Sequence, residues 1–419
     1  MCFHRIHTLL IAAFVGVLFF ASACFECSAS SSYQTPNGLS LPDSIFVGGQ
    51  RHHVQGLALD KQGNCMYMSF TDRFLKIDLK GNIIASIDRI QGHLGAMTFD
   101  AVNRKVYASL ECKDDAIGKN ISKSLNVKHT SREETRFYIA IIDVDKLEGQ
   151  GMSPENNDVL KTVCLRKVVE DYKFTSSSPQ SYSHRYGCSG IDGVTIAPAV
   201  DEHKPSAYNS SAKAGKEKNY LYVAYGIYGD VDRKDNDYQV IHVYDLDNLS
   251  SMARPMVFGE NHSNGPHKPM KEYFVKTGNT NYGVQNMAYD PFTGCIYMAV
   301  YKGKKPEYPN YTLFAFSLGQ KPFMAPLDGG RDGKKRLQLS LVRPIAPYFI
   351  NPQEDSATGI TGWRFKWGST GLCPLGDGLW YISENTKDKV TKEQNCTARL
   401  YQWTGKPDGP FVPANAIIE

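Results

Sequence analysis

No long basic run occurs among the 47 lysines and arginines of the 419-residue chain, and its formal net charge is only +4. That excludes the basic stripe a nucleic-acid partner requires. Charged residues make up 21%, too few for a disordered polyelectrolyte, while 11% aromatics and 36 glycines fit a folded, turn-rich globular protein. None of the seven cysteines beyond residue 27 forms a Cys-x-x-Cys pair, so zinc-ribbon chemistry is not indicated. Nothing indicates a nucleotide cofactor. Convincing amphipathic helices are absent. After the N-terminus, no apolar run approaches the ~18 residues a membrane span needs.

The N-terminus itself reads as a processing segment. His4 and Arg5 precede "TLLIAAFVGVLFFASA", an apolar run of signal-peptide length followed by small residues. We expect residues 1–27 to be a signal peptide, 28–42 a short linker and 43–419 one domain. The tetrad "ASAC" ending at Cys24 also resembles a bacterial lipobox, which would anchor the chain by lipid at Cys24. The expected location is secreted, periplasmic or at the cell surface. Outside the cytoplasm, an odd number of cysteines leaves at least one free thiol; Cys112–Cys188 and Cys373–Cys396 are candidate disulfides, whereas Cys65 and Cys295 fall in non-adjacent repeats. Six Asn-x-Ser/Thr sequons, at Asn120, Asn209, Asn248, Asn261, Asn310 and Asn395, would mark exposed loops of a glycoprotein if the host glycosylates.

Self-similarity is the strongest signal present. "HVQGLALDKQGNCMYMSF" (53–70), "HLGAMTFDAVNRKVYASL" (93–110) and "GVQNMAYDPFTGCIYMAV" (283–300) superimpose. In each, an apolar stretch ends at an aspartate (Asp60, Asp100, Asp290), and a tyrosine follows seven residues later (Tyr67, Tyr107, Tyr297). Alternating apolar residues on both sides of a polar turn specify a β-hairpin. Degenerate copies lie at 190–227, with a long insertion, and at 368–384. Two further strand-like runs follow each hairpin: "QVIHVYDLD" and "EYFVKT" after the third, "YTLFAFSL" and "RLQLSLVRP" after the fourth. The last hairpin is followed only by "ARLYQW", and "DSIFVGG" (44–50) is available to supply its missing strand. The fold is therefore all-β, a β-propeller of five four-stranded blades closed by an N-terminal strand, or of six if 320–366 holds a degenerate blade.

These repeats resemble those of secreted propellers of the YncE, NHL and gluconolactonase type. In a propeller, residues that open strand 1 and close strand 2 meet around the central funnel. The opening positions hold His53, His93, Gly190, Gly283 and Gly368; two residues on come Gln55, Gly95, Asp192, Gln285 and Thr370. Closing positions include Asp72, Glu111, Tyr228, Asp230, Lys302, Glu384 and Asn385. Insertions at 113–135, 229–238, 302–311 and 386–397 fall on the same face, where loops on a rigid scaffold usually carry function.

His53 and His93, at equivalent positions of neighbouring blades, are candidate catalytic bases. His52, offset by one residue, is expected to face into the blade packing. Asp192 in "GIDG" resembles the aspartate through which gluconolactonase-type propellers hold a divalent metal on the axis, and Asn286 in "VQNMAYD" resembles that family's metal-binding asparagine. Gln55 sits where such proteins carry glutamate. The resemblance implies Ca2+ or another divalent cation at Asp192 and Asn286. Gln55, Arg185, Tyr186, Tyr282 and Gln285 are candidate substrate contacts: an arginine can grip a carboxylate and a tyrosine can stack on a sugar.

Three functions follow as expectations. The first is metal-assisted hydrolysis, lactonase- or esterase-like, of a small polar or carbohydrate-like substrate by an exported monomer. The second is elimination on uronic-acid glycans, since arginine, tyrosine and histidine together resemble the site of propeller polysaccharide lyases. The third is non-catalytic binding of a glycan or protein through the same face.

Overall fold

The computed structural model describes residues 32–34, 40–155, 158–176, 182–201, 218–344 and 350–417. The expected signal segment with Cys24, and the Asn209 sequon, lie outside the described residues. Parts of the expected linker are ordered: Ser32–Gln34 pairs antiparallel with Ser40–Pro42.

Five antiparallel sheets follow one another along the chain. Blade one is Val54–Asp60, Cys65–Phe70, Arg73–Asp78 and Ile83–Asp88. Blade two is His93–Asp100, Lys105–Cys112, Arg136–Asp143 and Leu160–Cys164, with Arg254–Pro255 on its edge. Blade three is Cys188–Pro198, Asn219–Ile227, Tyr238–Asp245 and Lys271–Lys276. Blade four contributes Thr280–Asp290, Cys295–Lys302 and Leu313–Ser317, and blade five Leu372–Gly376, Leu379–Lys387, Gln394–Lys406 and Gly409–Pro413. The first strand of each blade packs on the first strands of both neighbours, and the fifth packs back on the first. The ring is closed, and the protein is a five-bladed β-propeller.

Packing follows the same division. Five apolar clusters fill the five seams between adjacent blades, because inner strands with neighbours on both sides bury both faces. All six residues of Cys65–Phe70 are buried. The repeat aspartate and tyrosine are structural. Asp60 accepts the Gly63 amide at 2.8 Å and the Tyr67 hydroxyl at 3.2 Å; Asp290 accepts the amides of Phe292 and Thr293, both at 3.2 Å. The carboxylate closes the turn, and the tyrosine seven residues on fills the seam behind it.

Ser44–Gln50 pairs antiparallel with the N-terminal half of Gln394–Lys406, with Ile45 opposite Ala398, and Gly409–Pro413 covers the C-terminal half. The N-terminal strand joins blade five as the sequence leads one to expect, but it shares the outer position with Gly409–Pro413, a strand the sequence pattern did not include. Blade four departs from expectation. Lys335–Leu339, which overlaps the start of "RLQLSLVRP", joins the outer edge of blade three in parallel with Lys271–Lys276, and Phe323–Pro326 pairs beyond it. The edge of blade four is covered instead by Trp363, bridged to Leu313, and by the Val342 amide, 2.9 Å from the carbonyl of Ala315. Leu337 and Leu339 pack into the seam between blades three and four, which draws the strand to the earlier blade. The described residues of 320–366 therefore form no sixth blade.

Three short helices occupy connections: α1 (Ala116–Leu125), α2 (Arg166–Lys173) and α3 (Leu246–Met252). At seven to ten residues they are too short to impose a clear period on the sequence. Asp115 caps α1 by accepting the Gly118 amide, and Asp245 caps α3 by accepting that of Asn248, the usual role of an aspartate at a helix start. All seven described cysteines are buried and free, so neither expected disulfide is present. Cys112 Sγ faces the carbonyl of Gln91, and Cys188 Sγ that of Gly190, in different seams. Cys373 and Cys396 pack as small apolar groups in the seam between blades five and one. Of the described sequons, Asn120 and Asn248 are exposed, whereas the amides of Asn261 and Asn310 are engaged with backbone carbonyls. Among the described residues, no helix is long and apolar enough to cross a membrane.

Candidate functional site

Four of the five inner strands break register with their partner at the same level, just inside the funnel. The shifts fall between Val54 and Gly56, Leu94 and Met97, Ile191 and Val194, and Val284 and Asn286. The residues in those bulges are Gln55, Gly95 with Ala96, Asp192 with Gly193, and Gln285. A bulge leaves its extra residue unpaired and re-aims it. Blades one, three and four thereby deliver Gln55, Asp192 and Gln285 to the channel, three of the residues singled out by sequence position.

These side chains are wired to one another. The Gln285 amide donates to Asp192 Oδ2 at 3.1 Å and to the Tyr282 carbonyl at 3.0 Å. Asn286 Nδ2 donates to the carbonyls of Gln55 (2.9 Å) and Ser369 (3.0 Å), joining blade four to blades one and five. Gln55 Nε2 lies 3.1 Å from His53 Nε2; the amide donates, so that ring nitrogen accepts and the imidazole is neutral. Two glycine backbones approach Asp192 closely. A Cβ at Gly226 would sit 3.2 Å from its Oδ2, and one at Gly95 3.6 Å from its Oδ1.

Glu111 and Lys113 complete the funnel wall; the sequence marks Glu111 as a closing position and Lys113 only as the first residue of the 113–135 insertion on this face. Lys113 Nζ contacts Glu111 Oε2 at 2.7 Å and donates to the Ser189 carbonyl at 3.1 Å. Glu111 Oε1 accepts the Ile191 amide at 2.8 Å. Gly190 is obligatory here: its φ is +144°, and a Cβ would lie 1.8 Å from Glu111 Oε1. His93 Nδ1 stands 4.0 Å from Glu111 Oε2.

Lys113 thus contacts two carboxylates, Glu111 at 2.7 Å and Asp115 at 3.5 Å, while Asp192 feels its charge without touching it. Burial raises the pKa of Glu111, and the Lys113 charge only partly offsets it. Burial and then the Glu111 charge push Asp192 well above the usual carboxylate range. Burial, followed by the Lys113 and His53 charges, depresses His93 to about 3, so its imidazole is neutral at any physiological pH. Burial and the neighbouring His52 also lower His53. The effect of His53 on His93 places the two rings in one electrostatic neighbourhood. His52 does not enter the blade packing as expected; it is partly exposed, 3.8 Å from Asp72 Oδ2.

Tyr282 is half-exposed at φ +67°, its carbonyl tied to Gln285 and its ring open to solvent. Arg185 and Tyr186 are not brought to the histidines. Arg185 lies 3.3 Å from the buried Asp171 and over the ring of Phe174. Tyr186 accepts from Arg336 Nε at 3.0 Å and packs edge-on to Phe274 on the outer strand of blade three. Left-handed backbone at His184 and Tyr186 turns the segment outward. An aromatic rim instead stands near Lys113: the His184 ring is 4.6 Å from that of Tyr172 and 5.2 Å from that of Tyr228, and Tyr172 is hydrogen-bonded to Tyr228. The far end of the channel holds a cavity of about 200 Å³ lined by Leu59, Phe99, Tyr289 and Pro374 together with Thr98 and Thr195.

The donors around Asp192 fit a hard cation. They are a buried carboxylate bonded to the Gln285 amide, with further amide side chains at the same level. Among the described residues no group of three His, Cys, Asp or Glu side chains could hold a metal, so any such ion would depend on amide or backbone oxygens beside the one carboxylate.

No protein-family model matches the sequence, and no curated protein matches it. Among solved structures, the β-propeller domain of Cps50 (Swd1) from Myceliophteria thermophila is similar at 9% identity and a TM-score of 0.28, over 84% of this chain and 99% of that one.

Proposed function

We propose that this exported propeller hydrolyses a small polar or carbohydrate-like substrate in the funnel, assisted by a divalent cation such as calcium at Asp192. The placement of Asp192 carries this reading. It is aimed at the channel by a bulge, flanked by two glycines, and partnered among the described side chains by Gln285 alone, while the adjacent lysine contacts Glu111 and Asp115. A buried carboxyl in that state requires either a proton or a cation.

Asp192 would hold the ion, with the side-chain oxygens of Asn286 and Gln55 as further donors. When bound, such an ion polarises a carbonyl or activates a water. The chain's own residues do the remaining work. Gln285 orients the substrate against Asp192. Tyr282 offers a ring face to a sugar. His53 is neutral and accepts at Nε2, which suits it to take the proton of the attacking water. His93, held neutral far below its usual pKa, serves as a hydrogen-bonding wall and not as the base. Elimination on uronic acids finds less support, because the Arg185 guanidinium is engaged by Asp171 and Phe174.

Thermal unfolding with calcium or with chelator, on wild type and Asp192→Asn, tests the cation. Calcium is expected to raise the wild-type midpoint by several degrees and leave the variant unmoved; no response in wild type overturns the reading. A panel of lactones and aryl esters tests the chemistry, with His53→Gln expected to lower turnover ~100-fold. Calcium binding without turnover of any member would instead favour a glycan- or protein-binding propeller.

A further inference from the structure

A second charged site lies away from the channel, between α2 and the outer strands of blade two. A surface cavity of about 220 Å³ is lined by Arg136, Arg166 and Lys173, with Glu170, Ser263 and Cys164 beside them. Arg166, Glu170 and Lys173 are spaced i, i+4 and i+7 on α2 and so share one helical face; Arg136 opens the third strand of blade two. Among the described residues none of these four charged side chains enters an ion pair.

The bonds the cations do make go to neutral acceptors. Arg136 Nε meets Ser263 Oγ at 3.0 Å, and its Nη1 meets the carbonyls of Glu133 (2.8 Å) and Thr135 (2.9 Å). Lys173 Nζ donates to the same Glu133 carbonyl. Arg166 Nη1 lies 3.0 Å from His267 Nε2. These bonds fix the cations around the cavity without neutralising them. Three cations against one carboxylate line the cavity, and Glu133, whose charge also acts on Lys173, offsets their mutual repulsion only in part. Burial and then the Arg136 charge indeed lower the Lys173 pKa.

We infer that this cavity binds a dianionic phosphoryl group, either inorganic phosphate or the phosphate of a monoester. The excess charge matches a dianion, and two guanidinium forks with one ammonium match the tetrahedral array of phosphate oxygens. The site is independent of the funnel and of any cation there.

Titration calorimetry with sodium phosphate, in chelator and at ionic strength matched with sodium chloride, tests it. Wild type is expected to bind one equivalent saturably. Arg166→Gln/Lys173→Gln is expected to lose at least tenfold in affinity with an unchanged melting profile, while Lys173→Arg and the remote Lys387→Gln keep it. Phenyl phosphate binding as tightly as phosphate assigns a monoester; binding tenfold more weakly assigns the free ion. Absence of saturable binding in wild type, retention of affinity in the double variant, or equal binding of sulfate would each overturn the inference. Should the double variant misfold, Arg166→Gln alone is expected to lose affinity in the same titration, and its retention of wild-type affinity would overturn the inference.

Discussion

The side-chain amide of Asn286 lies 2.9 Å from the backbone carbonyl of Gln55, two blades away around the ring. The same nitrogen reaches Ser369, in the turn that leads into the intervening blade, so one residue, 2% exposed, ties three blades together where the Gln55 bulge leaves a carbonyl unpaired. Asn286→Ala strands two buried acceptors and should cost about 1–3 kcal/mol. Asn286→Asp should cost more, since a carboxylate there faces two carbonyl oxygens. Urea unfolding with an unchanged m-value checks both; a loss under about 0.5 kcal/mol for either would show that the staple contributes little.

The two funnel carboxyls make stability depend on pH with a definite sign. Burial raises both Glu111 and Asp192 above their ordinary values. The folded chain therefore retains protons that the unfolded chain releases above about pH 4. Stability from these groups is full below that pH and falls as pH rises through the folded values, by about 1.4 kcal/mol for each pH unit that separates the folded value from the unfolded one. In chelator, Asp192→Asn should flatten the decline in melting temperature between pH 5 and 8. Lys113→Met should steepen it and destabilise by roughly 3–5 kcal/mol, because the buried acids lose their cation. Parallel pH profiles for wild type and Asp192→Asn would contradict this account.

Repeat-equivalent aspartates should behave in opposite ways. Burial also pushes Asp60 upward, but the Gly63 amide and then Arg104, 2.7 Å away, more than offset it and hold it low. Asp290 has no such guanidinium, and burial raises it to about 6. Asp290→Asn keeps an acceptor for the turn amides and removes the charge; it should stabilise at pH 7.5, by up to ~2 kcal/mol, and confer no gain at pH 4. Asp60→Asn should destabilise at both by about 1–3 kcal/mol, more at pH 7.5, where the lost carboxylate would be charged. Melting curves at the two pH values separate the cases.

The repeat made the ring legible because its aspartate and tyrosine solve the same local problem in each copy: a turn that needs an acceptor and a seam that needs a large ring. The bulge level was legible for the same reason, since Gln55, Asp192 and Gln285 stand at one offset from that frame. What a strand pattern cannot carry is its partner. Lys335–Leu339 reads as a strand, yet joins blade three because Leu337 and Leu339 find their cavity there. Lys113 was missed because it sits one residue past the end of its strand, where an insertion begins and periodicity stops. Arg185 and Tyr186 stand beside the opening of blade three in the sequence, as candidate substrate contacts; two left-handed residues, His184 and Tyr186 itself, send them elsewhere. The phosphoryl cavity was invisible as well, being assembled from segments about 30 and 100 residues apart whose charges look ordinary one at a time.

Ring closure gives the final prediction. Ser44–Gln50 forms one half of the outer edge of blade five, and Ile45 and Val47, 1% and 3% exposed, fill the seam between the last blade and the first. A propeller opened at that seam exposes apolar surface on two blades at once and leaves the edge of Gln394–Lys406 unpaired. Ile45→Ala should cost about 2–5 kcal/mol by cavity formation. Ile45→Asp should prevent closure altogether by burying an unpaired charge. Phe46, alternate on the strand and 56% exposed, should tolerate alanine within about 0.5 kcal/mol. Amide exchange across Gln394–Lys406 reads the seam directly. It should accelerate in Ile45→Ala along the half paired with Ser44–Gln50 and stay slow along the half paired with Gly409–Pro413. Uniform acceleration of both halves would mean that the N-terminal strand stabilises the whole blade instead of latching one edge.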